Sequence, residues 1–211
     1  MNTVIFFDLE TRSLVRDPKQ PEVPGHRYCK GWTDYKGMGI SIAGWALGQW
    51  APGPHGDGTI DWSKARWALG NERGLALFAE DLSKVDCRMS FNGKRFDDLL
   101  LQAHGINCPT DYDLLEEVRI AAYGSPTHKE MPKGHSYKLG LIGEVNGCPK
   151  SGDGADAPVW FQEGRVQDVT EYCCGDVDAS TTVLDLGLAG ELIDPNTGEK
   201  LKLRSIEEAM S

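Results

Sequence analysis

Five residues in three separated stretches carry the chemistry that this sequence offers: Asp8 and Glu10 in VIFFDLET, Asp97 in SFNGKRFDDLLL, and Tyr172 and Asp176 in EYCCGDVDAST. Four carboxylates brought together from such distances can hold two divalent metal ions. Tyr172, four residues before Asp176, adds a hydroxyl able to position a water beside them. Everything then depends on whether the intervening chain places these side chains on one site.

The local pattern supports three of the four acids. Residues 3–9 are β-branched and aromatic and read as a strand buried on both faces. Side chains alternate on a strand, so Asp8 and Glu10 point the same way, about 6–7 Å apart. Two acids in an apolar strand are costly to bury without a cation; the alternative is a strand end with solvated acids. In the segment 166–189 a helical stripe runs through Val169, Cys173, Val177, Ser180, Leu184 and Leu188. Tyr172 and Asp176 lie one position to the side of it, at the border of the core, whereas Asp178 and Asp185 read as solvated. Asp97 and its neighbour Asp98 both sit in the first turn of a predicted helix, where the helix dipole favours either acid. Local reasoning leaves the choice between them open.

The positioning elements follow from periodicity and turn chemistry. A second strand is expected over 38–47, a short third one near Gln49–Trp50 or after the Pro/Gly-rich tract 51–58, and another over 85–92. Helices are expected over 71–84, 95–106, 112–123, 137–146 and 166–189, and a hairpin turning at Pro195–Gly198 near the end. Strands first, a mixed middle and late helices argue for an α/β fold with one central sheet.

A chain of 211 residues suffices for one domain with a substantial core. No stretch approaches the ~20 apolar residues of a membrane span, so no membrane partner is expected. No basic region precedes TVIFFDLE, which speaks against a secretory signal. The six cysteines lack CxxC spacing and read as reduced thiols in a cytoplasmic setting; His26 and Cys29 have no second ligand pair that would make a zinc site. The net charge of −10 argues against nucleic acid until its distribution is considered. Residues 11–37 carry six Lys/Arg against three acids, and residues 119–150 five against two, so each segment is +3.

In order and separation, FDLET, NGKRFD and the Tyr172-x-x-x-Asp176 pattern resemble the three motifs of the DEDD superfamily of 3′–5′ exonucleases, in its tyrosine-containing DEDDy branch. The other branch places His five residues before the last Asp, and Glu171 stands there. The segment KSGDGADAPVWFQEGRVQDVTEYCCGDV is also similar to predicted RNase H-like exonuclease domains of bacterial and phage origin. The resemblance covers residues 3 to about 188. It implies an α/β, RNase H-like fold with a mixed central sheet flanked by helices. It also implies a domain over 1–190 with a long basic and aromatic insertion at 12–37, followed by a hairpin-like extension over 191–211.

The resemblance further implies that Asp8 bridges two metals, that Glu10 and Asp176 ligate the first and that Asp97 holds the second through water. Tyr172 would hydrogen-bond the attacking water. Hard carboxylate oxygens suit Mg²⁺ or Mn²⁺, and two such ions suit in-line phosphodiester hydrolysis. The expected partner is single-stranded DNA or RNA, with nucleoside 5′-monophosphates released from a 3′ end. Candidate substrate contacts are Asn92, Thr11, and, in the stretch HRYCKGWTDYKG, Arg27, Tyr28 and Trp32, where cations alternate with rings. Lys138 is a further phosphate candidate, with Lys94, Arg95, Lys133 and His135 behind it. KSGDGA is Gly-rich but lacks the Walker pattern and is not read as a nucleotide loop. The rival readings are a structure-specific endonuclease on the same fold and a catalytically silent nucleic-acid-binding module.

Overall fold

The structure, a computed structural model, describes residues 2–16, 21–22, 24–51 and 58–210. In chain order it contains β1 (Asn2–Thr11), β2 (Leu14–Val15), β3 (Tyr28–Cys29), α1 (Tyr35–Met38), β4 (Ile40–Trp50), β5 (Ile60–Trp62), β6 (Arg66–Leu69), α2 (Glu72–Lys84), β7 (Cys87–Ser90), α3 (Asp97–Ala103) and β8 (Tyr112–Asp113). There follow α4 (Leu114–Tyr123), α5 (Leu139–Val145), α6 (Ala157–Gln162), α7 (Val166–Ala189), β9 (Leu192–Ile193), β10 (Lys200–Leu201) and α8 (Ile206–Met210).

The central sheet runs β5-β4-β1-β7-β8, with β6 also paired to β4. β1 is antiparallel to β4 and parallel to β7, and β7 is parallel to β8, so the sheet is mixed and β1 lies inside it. This is the α/β arrangement of an RNase H-like fold, as expected. The apolar run of β1 explains its central place, because both of its faces are covered. Val4 and Phe6 join a core with Val118, Ile142, Val183, Leu184 and Leu188, from α4, α5 and α7. Ile5, Phe7 and Leu9 join a second core with Phe78, Leu82, Leu100 and Leu101, from α2 and α3. Each fully buried Phe, Ile or Leu contributes about 1.5–3 kcal/mol, enough to fix the register of the strand. A slip by one residue would exchange the two faces. Asp8 and Glu10 therefore continue the Val4–Phe6 face, towards α7.

Several boundaries differ from expectation. β4 starts at Ile40 because α1 ends at Gly39, whose φ of 63° suits glycine. Gln49–Trp50 extends β4, and the third strand is β5, after the tract whose residues 52–57 lie outside the described ones. Tyr112–Asp113 pairs with β7 before α4 begins, so the expected helix over 112–123 loses its first two residues to the sheet. α6, α1, β6 and the β2–β3 pair have too few residues to show a period. β9 and β10 pair antiparallel, and Leu192, Leu201, Leu203 and Ile206 pack into the core beside α7. No described helix is long and apolar enough to cross a membrane.

Candidate metal centre and groove

At the C-terminal end of β1 the sheet opens into a groove. Asp8 lies opposite Gly44 of β4, and that glycine makes room for α7: a Cβ at Gly44 would stand 2.7 Å from Cys173 Sγ. The thiol contacts the Asp8 carbonyl oxygen at 3.5 Å and its carboxylate at 3.7 Å. Ligand atoms from Asp8, Glu10 and Cys173 lie within 4.8 Å of one another. One turn along α7, Asp176 reaches the same space with one oxygen 2.5 Å from Lys150 Nζ.

Asp97 enters from α3, and the structure separates it from Asp98. Asp98 accepts hydrogen bonds from the Thr110 backbone at 2.9 Å and from its hydroxyl at 2.7 Å. Both of its oxygens are thereby engaged in holding α3 to the strand β8 region. Asp97 is 3 % exposed, and its Oδ1 has no hydrogen-bond partner. The preceding turn is set by Asn92, a non-glycine residue with φ 66°, whose N–H donates to Asp113 at 3.0 Å. Asp113 also accepts from Lys94 N at 3.1 Å and caps α4 through Leu115 N and Glu116 N. A buried carboxylate thus ties the second motif to the next helix, a role that no local sequence signal announces.

Burial acts on all four acids in the same direction, and repulsion from neighbouring carboxylates adds to it at Asp8, Glu10 and Asp97. Enclosure by protein, and then the charge of Asp176, push Asp8 up to about 7. Glu10 is raised by burial and then by Asp8 and Asp176; Asp97 by burial and then by Asp8 and Asp98. Asp176 is raised by burial, against which Lys150 pulls it down. An isolated buried carboxylate costs several kcal/mol, and four within reach of one another cannot all ionise without cations. Lys150 supplies one.

Tyr172, 2 % exposed, lies against Trp160 edge to face at 6.0 Å, with Lys150 Nζ 5.0 Å from its ring centroid. Its hydroxyl forms no well-aligned hydrogen bond; it faces Asp176, whose carboxyl it holds down, and burial followed by the charge of Asp176 raises its own pKa. Asp176 Oδ1 likewise forms no well-aligned hydrogen bond. The Gly-rich segment after Lys150 covers this ring: a Cβ at Gly154 would stand 3.3 Å from the Tyr172 hydroxyl oxygen. KSGDGA is therefore part of the groove wall, which its composition alone did not indicate.

These residues fit a hard divalent metal. The donor set is mainly carboxylate oxygen, and two of its oxygens and the tyrosine hydroxyl are buried without a well-aligned hydrogen bond, as groups that await a cation and its water would be. Cys173 is the one soft donor beside them.

The groove has two lobes that share Asp8, Trp32, Asn92, Lys150, Asp153 and Asp176. The first, of about 770 Å³, is lined by Glu10, Thr11, Leu14, Tyr28, Phe96, Asp97 and Tyr172. The second, of about 850 Å³, is lined by Arg119, His128, Tyr137, Lys138 and Leu141. Among the sequence candidates for substrate contact, Asn92 and Trp32 line both lobes, Thr11 and Tyr28 the first, and Lys138 the second. Arg27 lines neither. Its backbone is fixed by Gln162, which accepts from Arg27 N at 2.6 Å, and its side chain is exposed. Lys94 is engaged by Glu116 at 3.0 Å. Asp178 is exposed as expected, but Asp185 is half-buried and accepts a hydrogen bond from Trp62 at 3.2 Å. Lys150 and Arg119 were seen in the sequence only as members of a basic segment.

Neither a protein-family model nor a curated protein sequence matches the chain. Among solved structures it is similar to the family B DNA polymerase from the hyperthermophilic archaeon Pyrobaculum calidifontis, with a TM-score of 0.50 and 12 % sequence identity. The match covers 100 % of this chain and 27 % of that one, so this chain spans about a quarter of the polymerase. At that identity the likeness concerns the fold alone.

Proposed function

We propose that this protein is a two-metal-ion 3′–5′ exonuclease that hydrolyses single-stranded DNA or RNA and releases nucleoside 5′-monophosphates. The observation that carries this reading is the convergence of Asp8, Glu10, Asp97 and Asp176 on one groove, with Asp97 Oδ1 buried and unpartnered and the Tyr172 hydroxyl buried facing Asp176. The order of the three motifs in the sequence and the RNase H-like fold support it. Fold alone does not establish activity, and the weight rests on the site.

Asp8, Glu10, Asp97 and Asp176 would hold two ions of Mg²⁺ or Mn²⁺. When bound, such ions supply the charge that activates a water and stabilises the leaving 3′-oxygen. The protein's own groups do the rest. Tyr172 offers its hydroxyl to the water, and its raised pKa keeps the proton on as a donor near neutral pH. Trp160 and the loop at Gly152–Gly154 hold that ring in one orientation. Lys150 fixes the Asp176 carboxylate and offsets part of the negative charge that a phosphodiester must approach. Trp32, 70 % exposed at the edge between the lobes, offers a face for base stacking, and Asn92 lies where the strand end would pass.

The test is a time course on DNA and RNA oligonucleotides labelled at the 5′ end, with Mg²⁺, Mn²⁺ or EDTA. The expected result is a metal-dependent ladder that shortens from the 3′ end and leaves circular single strands intact. Cleavage of circles, or a ladder unaffected by EDTA, would contradict the reading.

A further inference from the structure

We propose that the second lobe is the site for the continuing strand, and that Arg119 holds a phosphodiester other than the one being cut. The proposal deepens the exonuclease reading and rests on it for the identity of the scissile bond.

Arg119, on α4, is only 8 % exposed. Its Nη1 donates to the Pro126 carbonyl at 3.4 Å, and its Nε has no hydrogen-bond partner. Among the described residues it forms no ion pair, and the two acids of its own helix are taken elsewhere. Glu116 is bound by Lys94 at 3.0 Å and Glu117 by Arg204 at 2.7 Å. A guanidinium does not escape burial by losing its proton, so leaving this one unpaired carries a desolvation cost that an anion entering the lobe would offset. Its planar fork matches a phosphate.

The surroundings give that anion a direction. Asp8, Asp153 and Asp176, the acids that line the second lobe, all lie on the edge it shares with the first. Beyond that edge the lining that can carry charge near neutral pH is Arg119, Lys138 and His128, with the phenol of Tyr137 beside them. The first lobe has the opposite character, with carboxylates, Leu14, Tyr28 and Phe96. A terminal nucleoside with a free 3′-hydroxyl brings little charge and suits the first lobe. The rest of the strand brings a phosphate with every nucleotide and suits the second.

The C-terminal turn braces the second lobe. Tyr137 donates to Asp194 at 3.1 Å, and Ser136 exchanges hydrogen bonds of 2.9 and 3.2 Å with Asn196. Residues beyond α7, which match no motif, thereby hold the segment that presents Lys138.

The experiment compares Arg119→Met with the wild-type 211-residue chain on two substrates. One is a fluorescein-labelled thymidylate hexamer; the other is the p-nitrophenyl ester of thymidine 5′-monophosphate, which has a single phosphodiester. We expect the preference for the hexamer over the ester to fall about tenfold or more. For hexamer binding in EDTA, followed by anisotropy, the slope of log Kd against log salt should fall by about 0.7, one phosphate contact on a single strand. The melting temperature should not drop, because an unpaired buried charge has been removed. Lys138→Ala, a change at an exposed position, should lower the same slope and so provides a second test that does not disturb the core. A variant that loses both substrates in proportion, or keeps the wild-type preference and slope, overturns the assignment. If the wild type cuts neither these substrates nor a uridylate hexamer, the exonuclease reading fails and anisotropy decides the anion site by itself. Weakened hexamer binding by Arg119→Met then upholds that site, and unchanged binding overturns it.

Discussion

In the first lobe of the groove four carboxylates are held together beside one lysine, and burial raises the pKa of each. In the second lobe, across the edge marked by Asp8 and Asp176, a buried guanidinium stands without an acid. Each lobe alone is electrostatically unfavourable, and both deficits would be relieved by the same pair of ligands. Cations answer the first lobe, and the phosphates of a strand crossing into the second answer Arg119. On the proposed function, the contrast would also reconcile a net charge of −10 with a polyanionic substrate. Negative charge is gathered where metals would neutralise it, and positive charge is placed where the strand would continue.

The most forceful way to break this contrast is to remove an acid from the shared edge. Asp8→Ala and Asp176→Ala should each bring hydrolysis below detection while leaving the circular dichroism spectrum intact, because both side chains sit at the border of the core. Activity near wild type in either variant would exclude these residues as ligands.

A sharper division lies between two adjacent acids. Asp97→Asn removes a charge from the groove and should lower activity about 10–100-fold, the usual cost of losing a partner that acts on a metal through water. Asp98→Asn should instead cost about 1–3 kcal/mol of stability, because it weakens the bonds to Thr110, with little change in turnover. Thermal melts read beside initial rates separate the two, and an exchange of these effects would reverse the assignment.

Tyr172→Phe leaves the Trp160 contact in place and removes only the buried hydroxyl that faces Asp176. Turnover should fall about 10²-fold with an unchanged or slightly higher melting temperature. A wild-type rate would show that the hydroxyl does not orient the water.

These substitutions also mark how far the sequence could be read. The pairing of Asp8 with Glu10 was legible because strand parity is local, and the apolar run before them forces that parity. The stripe on α7 was legible for the same reason, since Val169, Cys173, Val177, Ser180, Leu184 and Leu188 are all buried. Asp97 and Asp98 were indistinguishable because both satisfy the first turn of a helix; Thr110, twelve residues away, decides between them. Arg119 and Lys150 were equally opaque, because their meaning depends on which acids lie opposite them in three dimensions. Arg27 had the right composition around it, but the backbone bonds to Gln162 fix that segment with its side chain outside the groove lining.

The smallest effect belongs to a carboxylate outside the groove and serves as a control for burial itself. Burial raises Asp185 to about 6 from 3.8, opposed by its hydrogen bond from Trp62. The folded state then binds the proton more tightly than the unfolded one, so this group's contribution to stability is lost as pH rises from roughly 4 to 6. Asp185→Asn keeps an acceptor for Trp62 and should flatten the melting-temperature profile in that window relative to wild type. An unchanged profile would mean that Asp185 is solvated after all.

The central claim, that Asp8, Glu10, Asp97 and Asp176 form a metal centre, is tested most directly by calorimetric titration of the purified protein with Mn²⁺. We predict two ions per chain, with binding weakened or lost in Asp8→Asn. No binding at millimolar Mn²⁺, or binding that Asp8→Asn leaves unchanged, would contradict it.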